Sequence, residues 1–303
     1  MAEFANPVID IHLHWCAFGC RYEGVVEELA VLAGAGYEAV VFYPLPGLGA
    51  SPEKVRDLIP GPYLDLTGID SRRTALDDLG TWREFYRHLG ERNGGAPLPA
   101  LHSFLDIRAW DGRTDLEPSL DMDPHPGHSG FKDILILEED GEKMRMPPLR
   151  LVPGLSREEY LQRHRMSFGL AEELDRPLVY HADLTLHEDF VVDCLECHPD
   201  VRVDIPHFGF SRRRIAELMD RFPGVHTDVS SMASFIRKDT EGYREFIVDH
   251  PQRVLFGSDA IASYDLRGSL DHLEAVRELS LPEETEAAVL AGNARRFLAG
   301  EPA

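Results

Sequence analysis

A chain of 303 residues, 43% of them hydrophobic, is long enough to bury a large core, and a barrel of this size folds as one domain. Lys plus Arg number 31 against 53 Asp plus Glu, a formal net charge of −22 that repels phosphate backbones and argues against nucleic acid as a partner. No apolar run approaches the ~20 residues that cross a bilayer and no signal-peptide pattern is present, and Cys16, Cys20, Cys194 and Cys197 do not resemble a disulfide framework, so a reduced, cytoplasmic protein is expected.

The first predicted element is the strand "VIDIHLHW", residues 8–15. Side chains two apart point the same way in a strand, so the pattern predicts Asp10, His12 and His14 in one row and Ile9, Ile11 and Leu13 in the other. A polar, metal-competent row on a buried strand is unfavourable unless something binds it. "GVVEELAVLAGAG" follows as a helix with Val25, Val26, Leu29, Ala30 and Ala33 on one face, then "YEAVVFYP" as a strand ended by Pro44. Leu76, Leu79, Trp82, Phe85, Tyr86 and Leu89 recur at helical spacing. "PALHSFLDI" and "FKDILIL" read as the third and fourth strands. "SREEYLQRHRMSFGLAEELD" opens with Ser156 and Glu159 at capping-box spacing. "PLVYHA", "VRVDIPHFG", "VHTDVSS" and "RVLFGSDA" complete eight strands, separated by helices such as "SRRRIAELMDRF". Continuous apolar strands that alternate with helices indicate a parallel sheet covered on both faces. The expected class is α/β, a single closed (β/α)8 TIM barrel over residues 1–303. Two stretches rich in Pro, Gly and Asp break the rhythm, 108–130 and 138–155, and the second is predicted to be a substrate lid.

Chemistry-bearing side chains fall near strand ends. His12 and His14 come from the first strand, His181 ends "PLVYH", His207 ends "VDIPH" and Asp259 follows "VLFGS". In a parallel barrel these ends meet at one mouth. Neutral imidazoles with one carboxylate and an open position describe a catalytic site for zinc or a similar divalent ion, which turns water into a nucleophile near neutral pH. The plainer alternatives are core histidines for His12 and His14 and a structural hydrogen bond for His181 and Asp259. His102, His125, His128 and His187 read as solvated loop histidines, and Lys132 as an exposed or strand-end lysine paired with an acid. Cys194 and Cys197 read as ordinary helix residues, Cys16 and Cys20 as packing residues, and the three arginines of "SRRR" as a solvated first turn.

Taken in order, "DIHLHW", "DRPLVYH", "HPDVRVDIPHFG", "VHTDVSS", "RVLFGSDA" and "AGNARRFL" resemble the metal-dependent amidohydrolase superfamily, in its amidohydrolase-related (amidohydrolase 2) branch, across almost the whole chain. The resemblance implies that His12, His14, His181 and Asp259 ligate the metal. It implies that Asp259 takes part in proton transfer and that His207 orients water or ligates a second ion. Zinc is the expected ion, with manganese or iron as alternatives, and the expected partner is a small molecule, in a chain that pairs as a homodimer. The implied activity is hydrolysis or decarboxylation of a small organic acid, ester, lactone or amide. One departure stands at strand four, where "GFKDIL" puts Leu135 at the place of the carboxylated lysine of binuclear relatives and Lys132 three residues earlier. A single ion is therefore the expectation, although His102, Asp106, Asp183 and His187 could complete a second site. That surplus supports a second reading, because the chain is also similar to non-haem di-iron monooxygenases on the same barrel, which act with O2 and two iron ions on natural-product substrates, some CoA-linked. A non-catalytic binding barrel is the third reading.

Overall fold

A computed structural model describes residues 6–15, 22–44, 98–107, 128–144, 148–151, 154–261 and 267–300. Its strands are β1 (Val8–Trp15), β2 (Tyr37–Pro44), β3 (Ala100–Asp106), β4 (His128–Ile134), β5 (Leu178–His181), β6 (Val203–Asp204), β7 (Val225–Asp228), β8 (Val254–Leu255) and β9 (Ala260–Ile261). All pair in parallel in the order β8-β7-β6-β5-β4-β3-β2-β1-β9. β8 and β9 are two halves of the predicted eighth strand, interrupted at the turn that carries Asp259. Two backbone bonds close the cylinder there: Ile11 N–H donates to the Phe256 carbonyl at 3.0 Å, and Asp259 N–H donates to the His12 carbonyl at 2.7 Å. The architecture is the expected (β/α)8 barrel.

β1 departs from strict alternation. Asp10 pairs with Val40 and Leu13 with Phe42, so three steps along β1 oppose two along β2, which is a β-bulge over Ile11 and His12. Its consequence corrects the predicted row. Asp10 turns outward with Val8 and Leu13, where its carboxylate accepts from the Ser269 hydroxyl at 2.5 Å and the Ser258 N–H at 3.1 Å. Ile9 and Ile11 pack inward with Val41, Tyr43 and Phe104. After the bulge, His12 and His14 also face the interior, each ring beside that of Tyr43. An inserted residue re-aims the imidazoles while keeping the apolar plug beneath them.

The helices are α1 (Tyr22–Gly34), α2 (Glu138–Met144), α3 (Arg157–Glu173), α4 (Leu184–Cys197), α5 (Arg212–Arg221), α6 (Ala233–Lys238), α7 (Thr240–Asp249), α8 (Arg267–Glu278), α9 (Glu283–Ala287) and α10 (Asn293–Ala299). α1 buries Val25, Leu29 and Leu32 against the sheet. The capping box of α3 forms as predicted: Glu159 N–H donates to Ser156 Oγ and Ser156 N–H donates to Glu159 Oε2. Ala291, Ala294 and Phe297, near the C-terminal end of the chain, pack with Ile9, Ile11 and Leu255 and close the floor of the barrel.

The stretch 138–155 is not uniformly irregular. α2 forms because Glu138, Glu139 and Asp140 lie in its first turn, where acidic groups favour the helix dipole, and Asp140 accepts from Leu137 N–H at 2.8 Å. Glu138 and Glu139 pair with Arg157, and Lys143 pairs with Asp183. The stretch 108–127, the helical pattern through Leu76 and Leu89, His125, Cys16 and Cys20 fall outside the described residues, as does the side chain of His128. Among the described residues, no helix is long and apolar enough to cross a membrane.

Candidate metal centre and its cavity

The strand ends bring His12, His14 and Asp259 together, with one donor atom of each within 4.8 Å of the others. His14 Nε2 lies 2.9 Å and His12 Nε2 3.5 Å from the same oxygen, Asp259 Oδ1. His207 bridges this group to His181, its ring centroid 5.5 Å from His12 and 5.1 Å from His181. All five predicted side chains thus border one centre, His12, His14 and Asp259 as a tight group and His181 with His207 along its side.

Protonation suits cation binding. Burial, reinforced by the Lys132 charge, lowers His12 to about 4 despite the nearby carboxylates. Burial, with His207 next in weight, drives His181 well below the ordinary imidazole range, so both rings are neutral at pH 7. Burial opposes ionisation of Asp259, but the hydrogen bond from His14 and the surrounding imidazoles overcome it and hold the carboxyl well below its usual range. Two buried ring nitrogens, His14 Nδ1 and His181 Nε2, have no hydrogen-bond partner. Neutral imidazoles, an ionised carboxylate and orphaned ring nitrogens fit a divalent cation, because a buried acceptor without a partner is unfavourable until something occupies its lone pair.

The side chains behind this group carry no prediction from sequence. Asp228, fully buried at the end of β7, accepts from His12 Nδ1 at 2.7 Å, from the N–H groups of His207 and Ser230 at 3.0 Å each and from the Ser230 hydroxyl at 2.5 Å. Burial disfavours its charge, yet His12 more than compensates and holds the carboxyl far below the ordinary range. Donation from Nδ1 fixes the tautomer of His12, leaving the Nε2 lone pair toward Asp259. His207 Nδ1 donates to the Ser230 carbonyl at 2.7 Å, which orients that ring likewise.

Lys132 corrects a second expectation. Rather than exposed or at a strand end, it lies within β4 and is buried in the barrel interior, where its ammonium lies 3.4 Å from His12 Nε2 and 4.9 Å from the Tyr43 ring centroid. Its neighbour in the registers β4–β5 and β5–β6 is Val179 and then Asp204, so all three face inward. Burial lowers Lys132 to about 8, against the pull of Asp259, Asp228, Asp204 and Asp106. Burial and the Asp228 charge push Asp204 well above the carboxylate range, so Asp204 holds the proton of that pair. A charged residue inside an apolar strand run ("FKDIL", "VRVDI", "VHTDV") is the sequence signal that marks these positions.

The other surplus groups have structural partners. His187 is a buried helix residue, not a solvated loop one, and its Nε2 lies 2.5 Å from Asp140 Oδ2. Asp183 caps α4 by accepting from Thr185 N–H at 2.8 Å, and His102 contacts Ser129 Oγ at 3.2 Å. Arg212, Arg213 and Arg214 pair with Asp239, Glu217 and Glu188. Cys194 packs inside α4, burial pushing its thiol up to about 12, while Cys197 is exposed.

The backbone around the centre is strained. Among the described residues, seven non-glycine positions have positive φ, and five of them (His207, Phe208, Phe210, Ser231 and Asp259) line a cavity of about 470 Å3 at the C-terminal mouth. Left-handed non-glycine residues of this kind cost ~1–3 kcal/mol each and gather at functional sites. Glycine is required at one point: a Cβ on Gly257 would lie 2.8 Å from His12 Cβ and 3.0 Å from Asp228 Oδ2, so only a bare backbone lets the β8 turn reach β1 here.

The profile of the Amidohydrolase family matches residues 127–299, more than half of the chain. The chain belongs to the Amidohydrolase family. The match takes in β4 to β9 with His181, His207 and Asp259, whereas His12 and His14 enter this amidohydrolase's site through the tertiary structure. Its barrel is similar to a TIM-barrel protein of Bordetella bronchiseptica (14% identity, 97% of this chain and 98% of that one, TM-score 0.58). It is similar too to a phosphotriesterase homology protein of Escherichia coli complexed with phosphate in its active site (10% identity, 97% and 99%, TM-score 0.59). A third likeness is to a putative metal-dependent hydrolase of Lactobacillus casei (15% identity, 99% and 97%, TM-score 0.53). At these identities the likeness concerns the fold. No curated protein matches the chain.

Proposed function

We propose that this amidohydrolase is a hydrolase of a small organic ester, lactone or amide, and that one divalent ion, zinc first among candidates, is held by His12, His14, His181 and Asp259. The observation that carries the reading is the convergence of His14 and an ionised Asp259 with the neutral imidazoles of His12 and His181 at a strained, cavity-lining rim. A bound divalent ion supplies Lewis acidity toward a carbonyl oxygen and lowers the pKa of water. Asp259 is placed to take the proton from the attacking water and deliver it to the leaving group, since it is ionised and its Oδ2 is aimed by the Ser231 hydroxyl at 2.5 Å. His207, fixed through Ser230, presents its remaining ring nitrogen as a polar contact for water or substrate oxygen. Asp228 keeps His12 in the ligating tautomer, and Phe208 and Phe210 exclude bulk water from one side.

A single ion is favoured over the di-iron arrangement. In the second donor group of the barrel, His12, Asp204 and Asp228, burial and the Asp228 charge keep Asp204 protonated and Asp228 is committed to four hydrogen bonds. Elemental analysis of protein purified without added metal, alongside assays of amides, esters and lactones, CO2 release and O2 uptake, tests the proposal. About one equivalent of divalent metal with hydrolysis is expected, and His181→Ala should lose the metal. Two equivalents of iron with oxygen uptake would overturn the reading, as would full metal occupancy in His181→Ala.

A further inference from the structure

The cavity is chemically uneven. Its lining joins a polar group, His181, His207, Ser231 and Asp259, to an apolar wall of Phe208, Phe210, Met232, Phe235 and Tyr243. Among the described residues five large hydrophobic side chains are exposed, and the two aromatic ones, Phe210 at 42% and Phe235 at 53%, both line this cavity. Exposed apolar surface gathered at one concavity, rather than scattered, marks a place where something apolar docks. Phe210 is held there by its left-handed backbone (φ 59°) and by the ring of His181, 5.5 Å away, so the wall continues directly from the polar end.

The charges at the rim narrow the ligand further. Arg212 is the only cation among the described lining residues, and it is already neutralised: it donates to Asp239 at 2.5 Å and lies 4.2 Å above the Tyr243 ring. Two ammoniums outside the lining lie over its rings, Lys143, paired with Asp183, 5.9 Å from the Phe210 centroid and Lys238 5.5 Å from that of Phe235, so the wall that faces the cavity is itself apolar.

We propose that Phe210 and Phe235 form a specificity-determining clamp for the uncharged aryl or medium-length alkyl body of the substrate, whose reacting carbonyl group lies at the His181–Asp259 end. The proposal rests on the hydrolytic reading of that end. It is tested by isothermal titration of the metal-loaded protein with product-like carboxylates: acetate, butanoate, hexanoate, 3-phenylpropanoate and succinate. Each buried methylene should tighten binding by roughly fourfold, from acetate to hexanoate. Phe210→Ala and Phe235→Ala should each lower the hexanoate-to-acetate affinity ratio by roughly fivefold or more, and Phe235→Leu should restore most of it. Both side chains are partly exposed, and near-native thermal unfolding of each variant shows that the fold is kept. A flat chain-length series, an unchanged ratio in both alanine variants, or succinate binding as tightly as hexanoate would overturn the clamp. Metal content read on the same samples separates the two ideas: a steep series in protein that takes up no divalent ion supports the clamp and removes the metal centre.

Discussion

Replacing Asp228 with Asn perturbs the site through a single proton. The native carboxylate takes His12 Nδ1–H on Oδ2 at 2.7 Å, and the His207 and Ser230 N–H groups on Oδ1 at 3.0 Å each. An amide of the same shape keeps its oxygen for the two backbone donors and turns its NH2 toward His12. That NH2 must donate to Nδ1, which moves the imidazole proton to Nε2, the nitrogen 3.5 Å from Asp259 Oδ1. The lone pair that would hold the ion is then lost. Removing the carboxylate behind a ligating histidine weakens metal binding by ~10–100-fold, or about 1.4–2.7 kcal/mol. Competition against a chromophoric chelator measures the Kd, and near-native thermal unfolding of the metal-free protein shows that the barrel is intact. A metal affinity within twofold of wild type in a folded Asp228→Asn protein would refute the tautomer argument.

Three further outcomes are expected. Burial, added to by Arg253, Arg296 and Arg202 and opposed by the Gly224 carbonyl, lowers His226 from 6.5 to about 4. Only the unfolded chain takes the proton over that interval, so stability is complete above pH 6.5 and declines by about 3 kcal/mol as pH falls to 4; His226→Gln should flatten this part of the urea-midpoint curve, and an unchanged slope would contradict it. Gly257→Ala should lower Tm and metal affinity together, because its methyl group meets His12 and Asp228 at once; a loss of stability with native metal affinity would place the strain elsewhere. Lys132→Met removes the buried cation from among Asp204, Asp228 and Asp259 and should destabilise the fold by roughly 3–5 kcal/mol in chemical denaturation; excess divalent metal should recover part of this, and no change in the midpoint would show that the ammonium is not needed there.

The barrel was legible because its determinants are local. Apolar runs of four to eight residues between amphipathic helical patterns, and the Ser156–Glu159 box, depend on neighbours in the chain. The same reasoning located His12, His14, His181, His207 and Asp259, since in a parallel barrel the strand ends share one mouth. It failed where the answer lies in pairing between distant strands. Period-two alternation put Asp10 with the histidines, but the extra residue that re-aims His12 exists only relative to the register of β2. Lys132 was read as an exposed or strand-end lysine paired with an acid, and the only acid "GFKDIL" shows is its neighbour Asp133, whereas Asp204 and Asp228 arrive from β6 and β7, more than seventy residues away. The amino-acid order therefore dictated the strands, the helices and which strand ends carry donors. Closure of the sheet decided which way each donor points, its protonation and its supporting partners, because burial and long-range contact set those properties and neither is defined until the cylinder has formed.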